Sequence, residues 1–493
     1  MTTSFQHTLD FKIMRTINTT LLAVSLLATQ QLIAGETWTD LFNGKDLTGW
    51  TQKTGNATYA VEDGCIVGTM HTPGNGTNSF LFTKKNYDNF ILEMDFKADP
   101  RVNTGLQIRS AYADKKESFQ GKDKTFTVPE GYVYGYQVEI DTDLKGKTFT
   151  GGIYDEHRRG FYLDPSDGAN GPHGKAFTAV NRKITKPDDW NHIRVMAVGD
   201  HIKTYLNGVL RADLHDSMTS SGFFGLQVHN SKDISANGAQ VRFKNIRMMN
   251  ATAADDPPEP PANVLTDEEK KEGWRLLWDG KTTEGWQSAI APGFPDEGWE
   301  IQNGELMVTN DNGAESQRGG DIITKERFSN FELKVDFKCT PGCNSGIKYF
   351  VQPNLGAITG TGAKAPIGSA LGPEYQILDD ARHPDAKLGR NGDRTLGSLY
   401  DLIPASKNKK PNYIGEWNHA LIIAKGKHVE HWLNGEKILE YDRGSDEFRK
   451  LVAESKFHNV KNFGEWPDGN ILLQEHGSKV AFRNVKILVL DAK

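Results

Sequence analysis

Cysteine is scarce in this chain: three residues in 493, Cys65, Cys339 and Cys343, rule out an even disulfide framework. Cys339-Thr-Pro-Gly-Cys343 brackets a turn, and that spacing leaves open a small disulfide loop or two free thiols. No second Cys/His pair stands at finger-like spacing, which argues against a zinc finger. Charge of one sign is also lacking. A net charge of −6 gives no electrostatic footprint for nucleic acid. Beyond the N-terminus no run is long and apolar enough for a membrane span. Helical windows are few.

What is present begins with an export signal over residues 1–35. Lys12 and Arg15 precede the apolar run from Leu21 to Ala28, and the small residues Ala34 and Gly35 follow. Met14 offers an alternative true start. The expected location is outside the cytoplasm, periplasmic or extracellular.

The rest of the chain repeats. Trp38-Thr-Asp-Leu-Phe-Asn-Gly-Lys-Asp-Leu-Thr-Gly-Trp50 returns 236 residues later as Trp274-Arg-Leu-Leu-Trp-Asp-Gly-Lys-Thr-Thr-Glu-Gly-Trp286. Trp190-Asn-His192, Asn207-Gly208 and Gln227-Val-His229 return in order as Trp417-Asn-His419, Asn434-Gly435 and Gln474-Glu-His476. The period is far too long for a solenoid, so these are duplicated domains. We expect domains over 36–250 and 271–493. Between them, 251–270 form an acidic Pro-rich linker, with Thr266-Asp-Glu-Glu269 as the capping box of a short helix.

Within each copy hydrophobicity has period two. Phe331, Leu333, Val335 and Phe337 alternate with Glu332, Lys334, Asp336 and Lys338, the pattern of a half-buried antiparallel strand. The Asn-Gly pairs are hairpin turns. Short strands with glycine turns point to an all-β chain of two tandem jelly-roll β-sandwiches.

The same alternation places polar side chains on common faces. Gln227 with His229, Gln474 with His476, Gln107 with Arg109, Glu374 with Gln376, and Gln137 with Glu139 and Asp141 are each two residues apart. A face of this composition meets water or a polar ligand rather than core. Other motifs fail. Gly146-Lys147-Thr148 lacks the earlier glycine of a phosphate loop, because Asp141 stands there. Gly360 and Gly362 lack dinucleotide-site context. Glu139-Ile-Asp141 resembles the carboxylate strand of jelly-roll β-glucanases, but the third acid would fall at Leu144, which disfavours two-carboxylate hydrolysis.

Leu276 to Trp286, Gly372-Pro-Glu-Tyr-Gln-Ile-Leu-Asp379, Gly397-Ser-Leu-Tyr-Asp-Leu402, His431-Trp-Leu-Asn-Gly435 and Leu473-Gln-Glu-His-Gly477 resemble the 3-keto-disaccharide hydrolase family. Its domain is also described as a 3-keto-glucoside 1,2-lyase and 3-keto-2-hydroxy-glucal hydratase. The first copy is similar to another branch through Gly135–Asp141 and Gly151–Gly160. The resemblance implies concanavalin-like jelly rolls acting on a glycoside or oligosaccharide. Its chemistry needs a base for the C2 proton, an acid for the C1 substituent and donors at the C3 enolate oxygen.

In the second copy the implied acid/base pair is Glu374 and His476, with Tyr400 as a donor and Asp379 orienting a base. Asn344, Lys348, Gln376, His431 and Gln474 would bind substrate. In the first copy the implied counterparts of the acid/base pair are Glu139 and His229. Gln107, Arg109, Gln137, Asp141, Tyr154, Glu156, Arg158 and Gln227 would bind substrate, and Arg159 adds charge. No cofactor is required by the sequence; the clustered histidines and carboxylates leave a divalent metal possible, with no ligands assigned. The competing reading is a carbohydrate-binding protein without chemistry, or one catalytic and one binding copy. Oligomeric state has no sequence signal.

Overall fold

A computed structural model describes residues 37–121, 124–313, 316, 319–356 and 369–490. The expected export signal and the Gly360/Gly362 pair lie outside them. Among the described residues no helix is long and apolar enough to cross a membrane.

Each copy is a β-sandwich of two antiparallel sheets, with eight and seven strands in the first copy and eight and six in the second. Nine strands organise the site. In the first copy they are β1 (Phe90–Ala98), β2 (Thr104–Tyr112), β3 (Val133–Ile140), β4 (Ile153–Glu156) and β5 (Phe223–Val228). In the second they are β6 (Phe331–Cys339), β7 (Asn344–Gly356), β8 (Glu374–Leu378) and β9 (Asn470–Leu473).

Strands β1 and β6 sit at the centre of the backing sheets. Phe90, Leu92, Met94 and Phe96 of β1, like Phe331, Leu333, Val335 and Phe337 of β6, turn inward and are at most 1% exposed. Each such side chain contributes about 1.5–3 kcal/mol through burial. Opposite-facing Glu93 is also buried, and Arg194 and Arg247 pair with it. The Asn-Gly pairs form the expected hairpins. Asn207 and Gly208 have φ of 51° and 77°, Asn434 and Gly435 49° and 82°, the left-handed pair that a two-residue hairpin turn requires.

Among the described residues three α-helices interrupt the strands: α1 (Pro172–Ile184), α2 (Asp267–Glu272) and α3 (Asp446–Glu454). Of these, α2 is the one expected from its capping residues, although Ser445 Oγ also caps α3 by accepting the Phe448 N–H at 3.1 Å. Thr266 Oγ1 accepts the Glu269 N–H, and Glu269 returns the bond to the Thr266 N–H, both at 3.1 Å. Glu269 then holds Lys334 and Lys486, and these pairings bring its carboxyl down to about 2 against the cost of burial. Cys339 and Cys343 form a disulfide with Cα atoms 5.9 Å apart, which settles that alternative.

The Pro-rich stretch is not free along its whole length. Asp256 accepts from His201 Nδ1 at 2.6 Å on the first copy's backing sheet. The copies also touch directly. The Leu210 N–H donates to Ile414 O at 2.8 Å, and the Ile414 N–H donates to Gly208 O at 3.2 Å. Tyr205 meets the Tyr413 ring in a tilted contact, centroids 4.6 Å apart, and donates to Glu416 at 2.7 Å. Ile414 packs against both cores.

Candidate active site

The parity of β7, β8 and β9 that faces away from the core builds a polar cleft in the second copy. In the register of β7 with β8, Lys348 pairs with Glu374 and Gly346 with Gln376. Period two sends Asn344, Lys348, Glu374 and Gln376 to the same side. Gln474 and His476 follow β9, and Tyr400 enters from a loop tied to β8 by its N–H on Glu374 O at 3.0 Å. These seven residues line one cleft of about 460 Å³, solvent included.

Lys348 lies at its base. Its ammonium donates to Ser369 Oγ at 3.0 Å and stands 3.6 Å from Asp321 and 4.0 Å from Glu374. Asp321 is fully buried and accepts from Ser369 Oγ at 2.7 Å, from Ser316 Oγ at 3.1 Å and from the Glu475 N–H at 3.0 Å. One carboxylate therefore fixes both the lysine and the loop that carries His476. A Cβ at Gly346 would collide with the Glu374 carboxylate, so glycine lets that side chain fold across the strand. Gln376 Oε1 and Gln474 Oε1 are buried without a hydrogen-bond partner. Burying an acceptor unpaired is costly, and a bound hydroxyl would satisfy it. Tyr400 donates to Asp385 at 3.0 Å, and burial together with Asp385 pushes its hydroxyl far above the usual tyrosine range.

Two expected second-copy residues stand elsewhere. Asp379 is of odd parity relative to Glu374 and Gln376, so it faces away. It accepts the Gly342 N–H at 2.8 Å and pairs with Arg382, closing a turn rather than orienting a base. His431 is fully buried in the core. Its Nδ1 donates to Gly397 O at 2.9 Å, its Nε2 lies 2.8 Å from Tyr349 Oη, and burial pushes the imidazole down to about 4. It is a neutral core histidine and does not meet substrate. Lys456 and Phe457 line the cleft without sequence warning. His383, close enough for His476 to help lower its pKa after burial does, is equally unannounced.

The first copy repeats the backbone with different side chains. Gln107 pairs with Gln137, and Gly105 with Glu139, in the register of β2 with β3. The structural counterpart of Glu374 is therefore Gln137, that of Lys348 is Gln107, and Glu139 takes the place of Gln376. The collision at a Gly105 Cβ agrees, because it meets the Gln137 carboxamide. This corrects the expected equivalence of Glu139 with Glu374 by two residues. The Tyr-Gln dipeptides of β3 and β8 align in sequence but not in space.

Gln107 Nε2 and Gln227 Nε2 donate to Gln137 Oε1 at 2.7 and 2.8 Å, and Gln137 Nε2 donates to Glu139 at 3.0 Å. Asn103 donates to the other Glu139 oxygen. Burial pushes Glu139 up to about 7, with Asp141 and Glu156 adding to the rise and the Asn103 and Gln137 hydrogen bonds opposing it. Burial likewise lifts Asp141 to about 6. Tyr154 packs on Tyr162 at 5.1 Å. Glu156 accepts from Asn78 at 3.2 Å.

Three first-copy expectations need correction. Arg109 has φ of 45°, a left-handed bulge residue that breaks the alternation after Gln107. Its guanidinium points into the structure, donating to Asp88 O at 2.8 Å and Gly199 O at 2.6 Å. Arg158 is buried against Asp155 at 2.6 Å and lies over the Tyr136 ring, while Arg159 pairs with Asp155 and Asp216. Both hold a hairpin together. His229 is exposed beyond the end of β5, its Nδ1 donating to Asn230 O at 2.8 Å. Asn103 and Tyr162 were missed, although Asn103-Thr-Gly105 recurring as Asn344-Ser-Gly346 carried a signal for the first.

Among the described residues, one grouping offers three ligand atoms within 4.8 Å of one another: His428, Glu430 and Glu440. Lys437 already bridges its two carboxylates, at 3.4 and 2.7 Å.

A family profile described as the 3-keto-alpha-glucoside-1,2-lyase-like domain matches residues 37–249 and again 273–488. The chain belongs to that family. It is 38% identical over 238 residues to a 3-keto-disaccharide hydrolase of Bacteroides thetaiotaomicron, covering 45% of this chain and 79% of that protein. A solved Parabacteroides distasonis structure, assigned provisionally to the glycosyl hydrolases, is 33% identical over 47% of this chain and 100% of its own, with a TM-score of 0.39. A carbohydrate-binding module of Bacillus subtilis aligns at 19% identity over 41% of this chain and 96% of its own, with a TM-score of 0.26. The family profile covers both copies, and the chain is an enzyme of the glycoside-hydrolase kind.

Proposed function

We propose that the chain is an exported enzyme that cleaves 3-keto-glycosides, 3-keto-disaccharides among them, in the cleft of its second copy. The observation that carries this reading is the Lys348–Glu374 pair at the base of a polar cleft with His476 at its side. Glu374 takes the C2 proton, made acidic by the C3 ketone. Negative charge develops on the C3 oxygen, where the Lys348 ammonium stabilises it. The C1–O bond breaks, His476 gives a proton to the departing oxygen, and a C1=C2 double bond remains. Water then adds at C1 while a proton returns to C2, giving net hydrolysis with the ketone retained. The side chains named here supply every proton transfer, and no cofactor is assigned a step. Gln376 and Gln474 accept sugar hydroxyls with their unpartnered oxygens.

The test is to incubate the full chain with 3-keto-trehalose or an aryl 3-keto-glucoside and follow aglycone release, with C2 deuterium exchange read in D2O. Absence of both release and exchange would sink the proposal. N-terminal sequencing of secreted material tests the export expectation separately.

A further inference from the structure

The first copy keeps a buried polar face without the charges that the second copy uses. Resting on the reading that the second copy carries the chemistry, we infer that the first copy is a second saccharide site, which holds a neutral pyranoside without cleaving it. Three observations lead there. First, a cleft of about 680 Å³, solvent included, opens on this face and is lined by Asn103, Glu139, Asp141, Lys147, Phe149 and Tyr162. Second, the groups that would drive elimination are replaced: amides occupy the positions of the lysine and the base, hydrogen-bonded to each other at 2.7 Å, and His229 is turned to Asn230. Third, the polar groups that remain suit vicinal hydroxyls. Glu139 offers acceptor oxygens already oriented by Asn103 and Gln137, and Gln227 Oε1 is buried without a partner.

The ligand's chemistry follows from what surrounds it. Tyr162 stands beside Glu139 and meets Phe149 edge to face at 4.7 Å, giving an apolar wall for the C–H face of a sugar ring. Glu139 and Asp141 line the cleft and Glu156 adds negative charge at Glu139, so carboxyl groups outnumber the single Lys147 and disfavour a uronate or sulfated sugar. An unoxidised glucoside or glucan end fits better than an anionic glycan.

The experiment uses the full chain carrying Glu374→Gln, titrated calorimetrically with cellobiose and with trehalose. One binding event is expected for at least one of the two sugars. It should weaken at least tenfold when Tyr162→Ala or Glu139→Gln is added and change less than threefold with Tyr162→Phe, which keeps the ring. Melting curves of the same variants identify any that fail to fold, and Tyr162→Phe supplies the folded reference. No heat with either sugar at tens of millimolar overturns the inference. So does binding indifferent to Tyr162→Ala. Aglycone release that persists in Glu374→Gln and vanishes on adding Glu139→Gln also overturns it, because the first copy would then be catalytic. The titration uses unoxidised sugars and needs no turnover, so it succeeds or fails independently of the proposed cleavage.

Discussion

The two copies share a backbone down to an irregularity. Arg109 and Phe350 occupy the same left-handed bulge, with φ of 45° and 50°, four residues after the glycine that makes room for Gln137 or Glu374. On this common frame the second copy sets an ammonium beside a carboxylate, and the first sets two carboxamides. The strand pairing is the same and the side-chain lengths are nearly so. The difference teaches that a polar sheet face is a scaffold and that charge at two paired positions decides what chemistry it supports.

The comparison can be broken most severely at the base. Glu374→Gln should lower the rate of aglycone release by about a thousandfold, the scale of losing a positioned base. A second copy that tolerates this change would be no different from the first. Lys348→Met should cost about a hundredfold in kcat through loss of the enolate's counter-charge. Asp321→Asn should cost about tenfold with the fold retained, and its deficit should shrink in a Lys348→Met background because Asp321 acts through the lysine. Equal deficits in both backgrounds would refute that coupling.

The copies should also differ in their response to pH. Glu139 titrates near 7 when folded and near 4.5 when not. It therefore stabilises the first copy fully at acid pH and loses that stability as pH rises from about 4.5 to about 7. His431 titrates near 4 when folded against 6.5 unfolded. Its contribution is present above 6.5 and lost as pH falls towards 4. Each is worth about 3 kcal/mol at most. Raising pH from 5 to 8 should weaken the first copy and strengthen the second, read as opposite changes in the protection of β1 and β6 amides. Glu139→Gln should flatten the first trend alone. Least sensitive to which copy is altered, Leu92→Ala and Leu333→Ala should each cost about 2–5 kcal/mol in chemical denaturation, since both leave the same kind of cavity.

Much of this was legible in the chain. Period two fixed the inward faces of β1 and β6, the Asn-Gly pairs fixed two hairpins, and Thr266 with Glu269 marked a helix start. Seven second-copy site residues share one cleft because strand parity and the recurring Gln-x-His element are local properties. The misses have a common cause in non-local geometry. No local pattern announces that Arg109 takes a left-handed φ, after which every residue changes side. Register between β2 and β3 is set by pairing across the sheet, so the expected equivalence of Glu139 with Glu374 falls two residues out. Asp321 reaches Lys348 only because strands distant in sequence lie together. His431 reads like a ligand in a polar stretch, yet Tyr349, Tyr375, Tyr441 and the Gly397 carbonyl enclose it.

The hairpin tip at Asn207-Gly208 has one more consequence. By lending its backbone to Ile414, with Arg382 donating to Asn207 O, the first copy presents a surface that the second has come to lean on. Arg382 adjoins His383, whose neighbour is His476. The second half taken alone would keep its reactive groups and lose both the backbone partner of Ile414 and the Asn207 carbonyl that Arg382 holds.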